Sequence, residues 1–204
     1  TAGNTLKLRM NRALKMTPEE KAVEEEAFEF AKTNRARLAR TIADTDAFPS
    51  EASPLTVFMA GSPGAGKTEI SKGLVEMLEQ GVAGCTAKKI LRIDPDDYRC
   101  LIPGYSGGNS YLYHRAVTKI LERVLDRVFE KRISFLLDGT LASIDVAKRN
   151  ISRVLASQRI AQVIYVYQEP RLAWQFVQAR EITEGRNIPL DTSVAQYLAA
   201  RRNV

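Results

Sequence analysis

The sequence has few of the residues that build disulfide frameworks or metal centres. Its 204 residues include two cysteines and one histidine. Cys85 and Cys100 form no metal-binding or redox motif, so the sequence favours free thiols in a reducing compartment, and we expect a cytoplasmic protein. His114 is the only histidine in the chain, and a surface or packing role is favoured over a catalytic one.

The sequence also lacks long apolar runs. None approaches the ~20 residues of a membrane span, and the N-terminus has no apolar core of a signal peptide, so neither membrane insertion nor secretion is expected. The net charge is +6, and a basic surface attracts phosphorylated ligands, nucleic acid or acidic protein. Because the chain has no nucleic-acid-binding motif and no interleaving of basic and aromatic residues, nucleic-acid binding is not expected.

A phosphate-binding loop is the most informative stretch that is present. The residues Gly61-Ser62-Pro63-Gly64-Ala65-Gly66-Lys67-Thr68 fit the pattern G-x-x-x-x-G-K-[ST]. A run of strand formers precedes the loop and apolar residues at helical spacing follow it, which is the context that the motif requires. Backbone N–H groups and the helix N-terminus then hold phosphates. We predict that Lys67 reaches the β- and γ-phosphates of a nucleotide and that the Thr68 hydroxyl binds Mg²⁺; a chance match in a turn is the alternative.

Strand and helix patterns alternate along the chain. Thr17, Pro18 and Glu20 form a capping box at the start of the first predicted helix. Because alternating strands and helices build parallel sheets, we predict an α/β fold: a P-loop NTPase-type parallel sheet with helices on both faces. The predicted strands are 55–60, 90–93, 133–137 and 163–167, and the predicted helices are 17–42, 67–80, 110–130, 144–157, one after Pro170 and one from 191.

Polar side chains follow several of the predicted strands. Ligands of parallel sheets bind beyond the carboxyl ends of the strands, which selects Lys67, Asp94, Asp96 and Thr140. Asp94 is predicted to support the metal ion through water, together with Thr68. Asp96 is predicted to accept the proton of a substrate hydroxyl. The alternative for Asp96 is a structural role in capping the following turn.

Two arginines and one glutamate are weaker candidates. Arg180 and Arg186 flank a glycine in a segment with few core residues. They either stabilise charge on the transferred phosphoryl group from a closing flap or form surface salt bridges. Glu122 lies off the apolar stripe of its helix, and by pattern alone it belongs to a solvated face.

Several motifs together resemble the zeta toxin family. They occur in the family's order from about residue 50 to residue 195, and jointly they are specific, whereas the phosphate loop alone is not. The motifs are the loop with its flanks from Phe58 to Glu69, Arg92-Ile93-Asp94-Pro95-Asp96-Asp97, Pro103-Gly104-Tyr105, Asp138-Gly139-Thr140, and Arg180-Glu181 with Gly185-Arg186-Asn187-Ile188-Pro189.

The resemblance implies a kinase that uses ATP or GTP with Mg²⁺. Its acceptor would be the 3′-hydroxyl of the amino sugar in UDP-N-acetylglucosamine, and the product would inhibit cell-wall synthesis. The implied catalytic residues are Lys67, Asp96, Arg180 and Arg186. The implied nucleotide-binding residues are Gly61, Ser62, Pro63, Gly64, Ala65, Gly66, Lys67, Thr68 and Glu69.

The resemblance also implies an acceptor site, formed by Asp96, Tyr105, Glu122, Asp138 and Thr140. Glu122 gains this role because it lies sixteen residues before Asp138, where the family keeps a substrate-binding carboxylate. The family often has glutamate in place of Asp138, so the sugar contacts are expected to differ here.

The resemblance further suggests how the chain is organised. An N-terminal arm and helix, 1–45, would precede a kinase domain, 46–204. The family has one more helix and a further strand after Pro189, so we expect the domain to be either truncated or a compact variant. Family members are inhibited by a small helical antitoxin or, in some relatives, by their own N-terminal extension, for which residues 1–45 are the candidate.

Two other functions fit the same residues. A P-loop kinase that acts on a different small-molecule, nucleotide or nucleic-acid hydroxyl would share every catalytic residue, so only substrate screening separates it. The second alternative function is a nucleotide-binding interaction module without turnover. The complete catalytic set argues against that module, because a protein that only binds has no need of a base such as Asp96.

Overall fold

The computed structural model describes residues 16–81, 87–185 and 188–204. Four parallel strands form one sheet in the order β2-β3-β1-β4. The predicted α/β fold with a parallel sheet is confirmed. The strands are β1 (Thr56–Ala60), β2 (Leu91–Ile93), β3 (Phe135–Leu137) and β4 (Ala161–Tyr165). The helices are α1 (Pro18–Ile42), α2 (Lys67–Gln80), α3 (His114–Glu130), α4 (Ile144–Ala156), α5 (Pro170–Glu184) and α6 (Leu190–Asn203).

Helices cover both faces of the sheet because successive strand residues point to opposite sides. Phe58 and Phe135 face one side, where their rings meet edge to face with centroids 6.2 Å apart. Residues of α1, α3 and α4 complete this core. Val57 and Met59 face the other side and pack with α2. The buried helical residues of the first core are Ala27, Ala31, Leu38, Ala39, Ala116, Val117, Ile120, Val124, Leu125, Val128 and Val154.

The strand order brings the predicted site residues together. β1 lies between β3 and β4, so the loop after β1 has the end of β3 on one side and the end of β4 on the other. β2 pairs with β3, and the register places Ile93 beside Leu137. The segments that follow β1, β2 and β3 therefore meet at one edge of the sheet, the edge at which parallel sheets bind ligands.

The predicted helix 110–130 is wrong at its start. Residues Ser110–Tyr113 form a 3₁₀-helix, and α3 begins at His114. The Ser110 N–H bonds to the Gly107 carbonyl and the Leu112 N–H to the Asn109 carbonyl, so each bond closes over three residues, as in a 3₁₀-helix. Another 3₁₀-helix, Asp97–Leu101, follows β2.

The fourth strand starts and ends two residues earlier than predicted. β4 pairs with β1 from Thr56 beside Ala161 to Ala60 beside Tyr165. Ala161 and Gln162 have weak strand preferences, so the sequence pattern started the strand at Val163 instead. The neighbouring strand, rather than local preference, determines these limits.

The helix α1 is attached to α3 by polar contacts as well as by its core residues. The Arg115 guanidinium donates to Glu24 at 3.2 Å and to Glu25 at 3.3 Å, and it lies over the Phe28 ring at 4.3 Å. The Tyr111 hydroxyl donates to Glu20. No helix in the described ranges is long and apolar enough to span a membrane.

Replacing Thr17 with alanine should destabilise the protein by about 1 kcal/mol, the usual effect of losing an N-cap. The Thr17 hydroxyl accepts from the Glu20 N–H at 3.2 Å, and the Glu20 carboxylate accepts from the Thr17 N–H at 2.8 Å, so the predicted capping box is present. Urea unfolding measures the change. The control is Thr41→Ala near the C-terminal end of the same helix, and equal losses from the two variants would contradict the capping role.

Candidate functional site

The phosphate loop connects the end of β1 with the N-terminus of α2, and its shape depends on glycine. Gly64 and Gly66 have φ angles of 73° and 83°, in the left-handed region that glycine enters without steric cost. A Cβ on Gly64 would overlap the Ala173 carbonyl of α5, and one on Gly61 would lie 2.5 Å from the Val166 carbonyl oxygen. The loop is thus held closely against the end of β4 and the start of α5.

Lys67 is the first residue of α2, and its ammonium group turns back over the loop. Nζ donates to the Ser62 carbonyl at 2.7 Å. Burial lowers the pKa of Lys67 from 10.5 to about 8. The negative charges of Asp138, Asp96 and Asp94 oppose that shift, whereas the positive charge of Arg180 adds to it. Lys67 therefore lies close enough to these three carboxylates and to Arg180 to interact with their charges.

A buried charge cluster lies beside the loop, and Arg92 is at its centre. The Nη2 atom of Arg92 donates to Asp94 and to Asp138, each at 2.6 Å. The Nε atom donates to the Ser71 hydroxyl at 2.8 Å, and this hydroxyl donates to Asp138 at 2.8 Å. Burial raises the pKa of Asp94, although the Asp96 N–H and the Arg92 charge oppose the rise. The cluster therefore joins α2, β2 and the end of β3.

Asp96 lies next to this cluster and is more open to solvent. Its side chain is 36% exposed, compared with 4% for Asp138. One carboxylate oxygen accepts from Nη1 of the largely buried Arg99, and the Asp96 N–H donates to Asp94 at 2.9 Å. The Asp96 carboxylate is therefore held in place by its ion pair with Arg99 and remains accessible, and a proton acceptor must be within reach of the bound hydroxyl.

The predicted metal ligands have the right chemistry for Mg²⁺. Thr68 offers a hydroxyl oxygen on the first turn of α2, and Asp94 offers carboxylate oxygens; oxygen is the ligand atom that Mg²⁺ prefers. The Ser71 hydroxyl, three residues after Thr68, lies 3.0 Å from the Thr68 carbonyl oxygen as well as 2.8 Å from Asp138. Thr68 and Asp94 are thus the residues that would hold a magnesium ion here, and the ion would neutralise charge on bound phosphates.

The other predicted site residues are distributed around this centre. The Thr140 carbonyl accepts from the Gly61 N–H at 3.3 Å, so the segment after β3 touches the phosphate loop. Tyr105 packs edge to face on Tyr113 at 5.5 Å. Glu122 lies on α3, where it accepts from Lys119 at 3.1 Å. The predicted acceptor contacts of these residues stay predictions, as does that of the deeply buried Asp138.

The structure describes one of the two predicted arginines, Arg180. Arg180 lies on the last turns of α5, which ends at Glu184 and is followed by Gly185 with a left-handed φ of 67°. Arg186 lies outside the described residues. Their role at the phosphoryl group stays a prediction.

Sequence reasoning missed three residues of the site: Ser71, Arg92 and Arg99. Arg92 gave a usable signal, since a charged residue between the apolar Leu91 and Ile93 of a short strand must find a partner when the strand is buried. Arg99 follows Asp96 by three residues, the spacing of neighbours on one turn. Ser71 gave no signal, because a serine in a helix is common.

The sequence model of the zeta toxin family matches residues 39–204. The chain belongs to the zeta toxin family. The match covers the sheet, the phosphate loop and all predicted site residues, and it leaves out most of α1. No curated protein matches the chain in sequence.

Solved structures share the zeta toxin fold at low sequence identity. A chain of the PezAT chromosomal toxin-antitoxin system of Streptococcus pneumoniae superposes with a TM-score of 0.61 at 20% identity, covering 82% of this chain and 64% of that chain. A chain of the AvrRxo1-ORF1:-ORF2 complex with ATP gives 0.58 at 16% identity, covering 92% and 57%. A chain of the Pnkp1/Rnl/Hen1 RNA repair complex gives 0.56 at 16%, covering 76% and 46%. The chain thus spans less than two thirds of each of these proteins, and the likeness shows the fold.

Proposed function

We propose that the protein is a kinase that transfers the γ-phosphate of ATP or GTP to the 3′-hydroxyl of the amino sugar of UDP-N-acetylglucosamine, and that it thereby inhibits cell-wall synthesis. One observation carries the reaction class: the accessible carboxylate of Asp96 lies near the helix that follows the phosphate loop. The Asp96 N–H donates to Asp94, and Arg92, the partner of Asp94, donates to Ser71 on that helix. Membership of the zeta toxin family supports the choice of acceptor.

The chain's own residues supply the parts that phosphoryl transfer needs. The loop residues 61–69 cradle the donor phosphates, and Lys67 neutralises charge on the β- and γ-phosphates. Asp96 takes the proton of the acceptor hydroxyl as its oxygen attacks the γ-phosphorus, and the bond to the β,γ-bridging oxygen breaks to release ADP or GDP. Arg180 and Arg186 stabilise the charge on the transferred group.

The acceptor and the metal ion have separate proposed contacts. Tyr105, Glu122 and Thr140 are the proposed acceptor contacts, with Asp138 as a deeper one. Thr68 and Asp94 would hold Mg²⁺, which when bound neutralises phosphate charge and orients the phosphates. A nucleoside triphosphate donor and the exposed, unpaired Cys100 agree with the proposed cytoplasmic location.

The experiment that tests the proposal is a transfer assay with product identification. Purified protein is incubated with Mg·ATP or Mg·GTP, with and without UDP-N-acetylglucosamine, and the sugar nucleotide is examined by mass spectrometry. A gain of one phosphate, at the 3′-hydroxyl by NMR, is the expected result. A panel of nucleotides, sugars and nucleic-acid ends serves as alternative acceptors. Phosphorylation of one of these instead would change the proposed acceptor and leave the proposed reaction class as it is. Nucleotide binding with no transfer to any acceptor would overturn the kinase assignment.

The affinity for nucleotide should fall as the pH rises above about 8. Because burial lowers the pKa of Lys67 to about 8, the free protein loses this positive charge in that range, and the phosphates bind the charged form. The affinity for nucleotide should be at its maximum below the pKa of Lys67 and should fall by up to about tenfold per pH unit above it. Binding of a non-hydrolysable ATP analogue measures the profile. Lys67→Ala should lack this profile, and a wild-type affinity that stays constant across the range would contradict it.

Residues 1–45 are the proposed regulatory part of the chain, either by self-inhibition or as the binding site of an antitoxin. Most of them lie outside the family match. α1 contributes fully buried residues such as Ala31 and Ala39 to the core, so it is part of the domain's stability. Inhibition by residues 1–15 is therefore tested separately, because removing the whole of residues 1–45 would also remove part of the core.

Deleting residues 1–15 should raise kinase activity severalfold if the arm is inhibitory. Deleting residues 1–45 should instead expose the core beneath α1 and destabilise the protein. Initial rates and urea unfolding of the two truncated proteins are compared with the full chain. Unchanged activity without the arm would count against self-inhibition and would leave a separate antitoxin as the proposed inhibitor.

A further inference from the structure

Arg92 reaches the phosphate-loop side of the sheet because of its place in β2. Leu91 and Ile93 both belong to the core beneath α1 and α3, and side chains alternate along a strand. Arg92 therefore projects towards α2, where its Nε atom donates to Ser71. Its side chain is 15% exposed, so the guanidinium is largely enclosed.

The guanidinium is shared between two carboxylates that are themselves buried. One nitrogen, Nη2, lies 2.6 Å from Asp94 and 2.6 Å from Asp138, whose side chains are 12% and 4% exposed. Two buried carboxylates repel each other unless a cation lies between them. Arg92 supplies that cation, so each carboxylate already has an oxygen engaged at the end of the loop where Thr68 lies.

The buried charges around Arg92 already offset one another. Arg92 pairs with Asp94 and Asp138 and also contacts the exposed Asp97, whereas Asp96 pairs separately with Arg99. Lys67 adds a positive charge near the same carboxylates. A free divalent cation would add two positive charges to this cluster, whereas a triphosphate brings about four negative charges with it. In residues 16–81, 87–185 and 188–204, no group of three His, Cys, Asp or Glu side chains is arranged to hold a metal ion.

We propose that Arg92 occupies the metal end of the nucleotide-free site, so that a divalent cation binds there only together with the phosphates of a nucleotide. Arg92 is then a positioning residue. It holds Asp94 and Asp138 in place, and it shares their negative charge with the metal ion when the metal–nucleotide complex binds. The inference rests on the proposed function for the nucleoside triphosphate donor alone, and it is independent of the acceptor.

The test is a titration of nucleotide-free protein with Mn²⁺, followed by electron paramagnetic resonance of the unbound ion. Wild-type protein should show no saturable site, and Arg92→Met should gain at least about tenfold in Mn²⁺ affinity, because a positive charge in contact with both carboxylates has gone. Arg92→Lys keeps the charge and should behave like wild type. If Arg92→Met bound Mn²⁺ no better than wild type, the inference would be overturned.

Two further variants locate the gained site. Asp97→Asn removes the exposed partner of Arg92, 3.3 Å away and 68% exposed, and should leave Mn²⁺ binding as in wild type. The double variant Arg92→Met/Asp138→Asn should lose the gain; a retained gain would mean that the ion binds elsewhere, and it would overturn the inference.

Wild-type protein alone tests whether a divalent cation binds without nucleotide, even if Arg92→Met does not fold. Saturable Mn²⁺ binding to nucleotide-free wild type that Asp94→Asn abolishes would overturn the inference, and its absence supports it. The titration contains no acceptor, so its outcome is separate from that of the transfer assay. Failure of sugar phosphorylation would overturn the proposed function without affecting the role of Arg92.

Discussion

Lys67→Ala is expected to lower phosphoryl transfer by about 10³-fold, the upper range for removing one preorganised donor to the transition state. The ammonium group lies over the loop, 2.7 Å from the Ser62 carbonyl, where the β- and γ-phosphates are proposed to bind. It acts in a partly buried site, in which a charge is worth more than in water. The variant should also bind nucleotide more weakly, because Lys67 contacts the phosphates in the ground state.

The measurements for Lys67→Ala are the initial rate of transfer and the dissociation constant of a non-hydrolysable ATP analogue. Lys72→Ala is the matched control, since Lys72 lies on the same helix with its side chain exposed and outside the loop. The control should keep both quantities at wild-type values. If Lys67→Ala kept them too, the loop would not be the site of the donor phosphates.

Asp96→Asn is expected to lower transfer by about 10²-fold or more, the range for removing a positioned base. Asparagine keeps the shape of the side chain but cannot take the proton of the acceptor hydroxyl. Binding of the ATP analogue should remain close to wild type, because Asp96 is proposed to act on the acceptor. The fall should therefore appear in kcat, whereas the dissociation constant of the donor stays the same.

Asp97→Asn is the control for Asp96→Asn, since it makes the same change one residue along the chain. Asp97 is more exposed, and its carboxylate lies 3.3 Å from the Arg92 guanidinium. This variant should transfer phosphate at nearly the wild-type rate. Equal losses in both variants would indicate a structural role for the turn, and unaltered transfer by Asp96→Asn would remove Asp96 from the mechanism.

Much of the fold was predictable because its signals are local. The capping box at Thr17, the glycines of the phosphate loop and the alternation of apolar strands with amphipathic helices each depend on residues a few positions apart. The same is true of the polar residues that follow the strands, so Lys67, Asp94, Asp96 and Thr140 could be selected before their neighbours were known. Membership of the zeta toxin family was predicted from the order of these segments and is confirmed.

Two elements had wrong predicted limits, β4 and α3. In both, hydrogen bonds determined the observed limits: pairing with a distant strand for β4, and bonds between residues three apart for the segment before α3. β4 begins at Ala161 because β1 pairs with it there, although its own residues favour a later start. The segment before α3 is a 3₁₀-helix because its N–H groups bond to the loop at 107–109. Apolar periodicity does not distinguish a 3₁₀ turn from the first turn of an α-helix.

By itself, the sequence determined which chemical groups stand at the ends of the strands and which loop can hold phosphates, because backbone freedom, capping and periodicity act over a few residues. Only the tertiary structure decided which charges meet. Arg92 and Asp138 lie 46 positions apart, and Ser71 and Asp138 lie 67 apart. Their contact depends on the strand order β2-β3-β1 and on the packing of α2 over it. No local pattern records that order, because it results from how whole elements bury their apolar faces together.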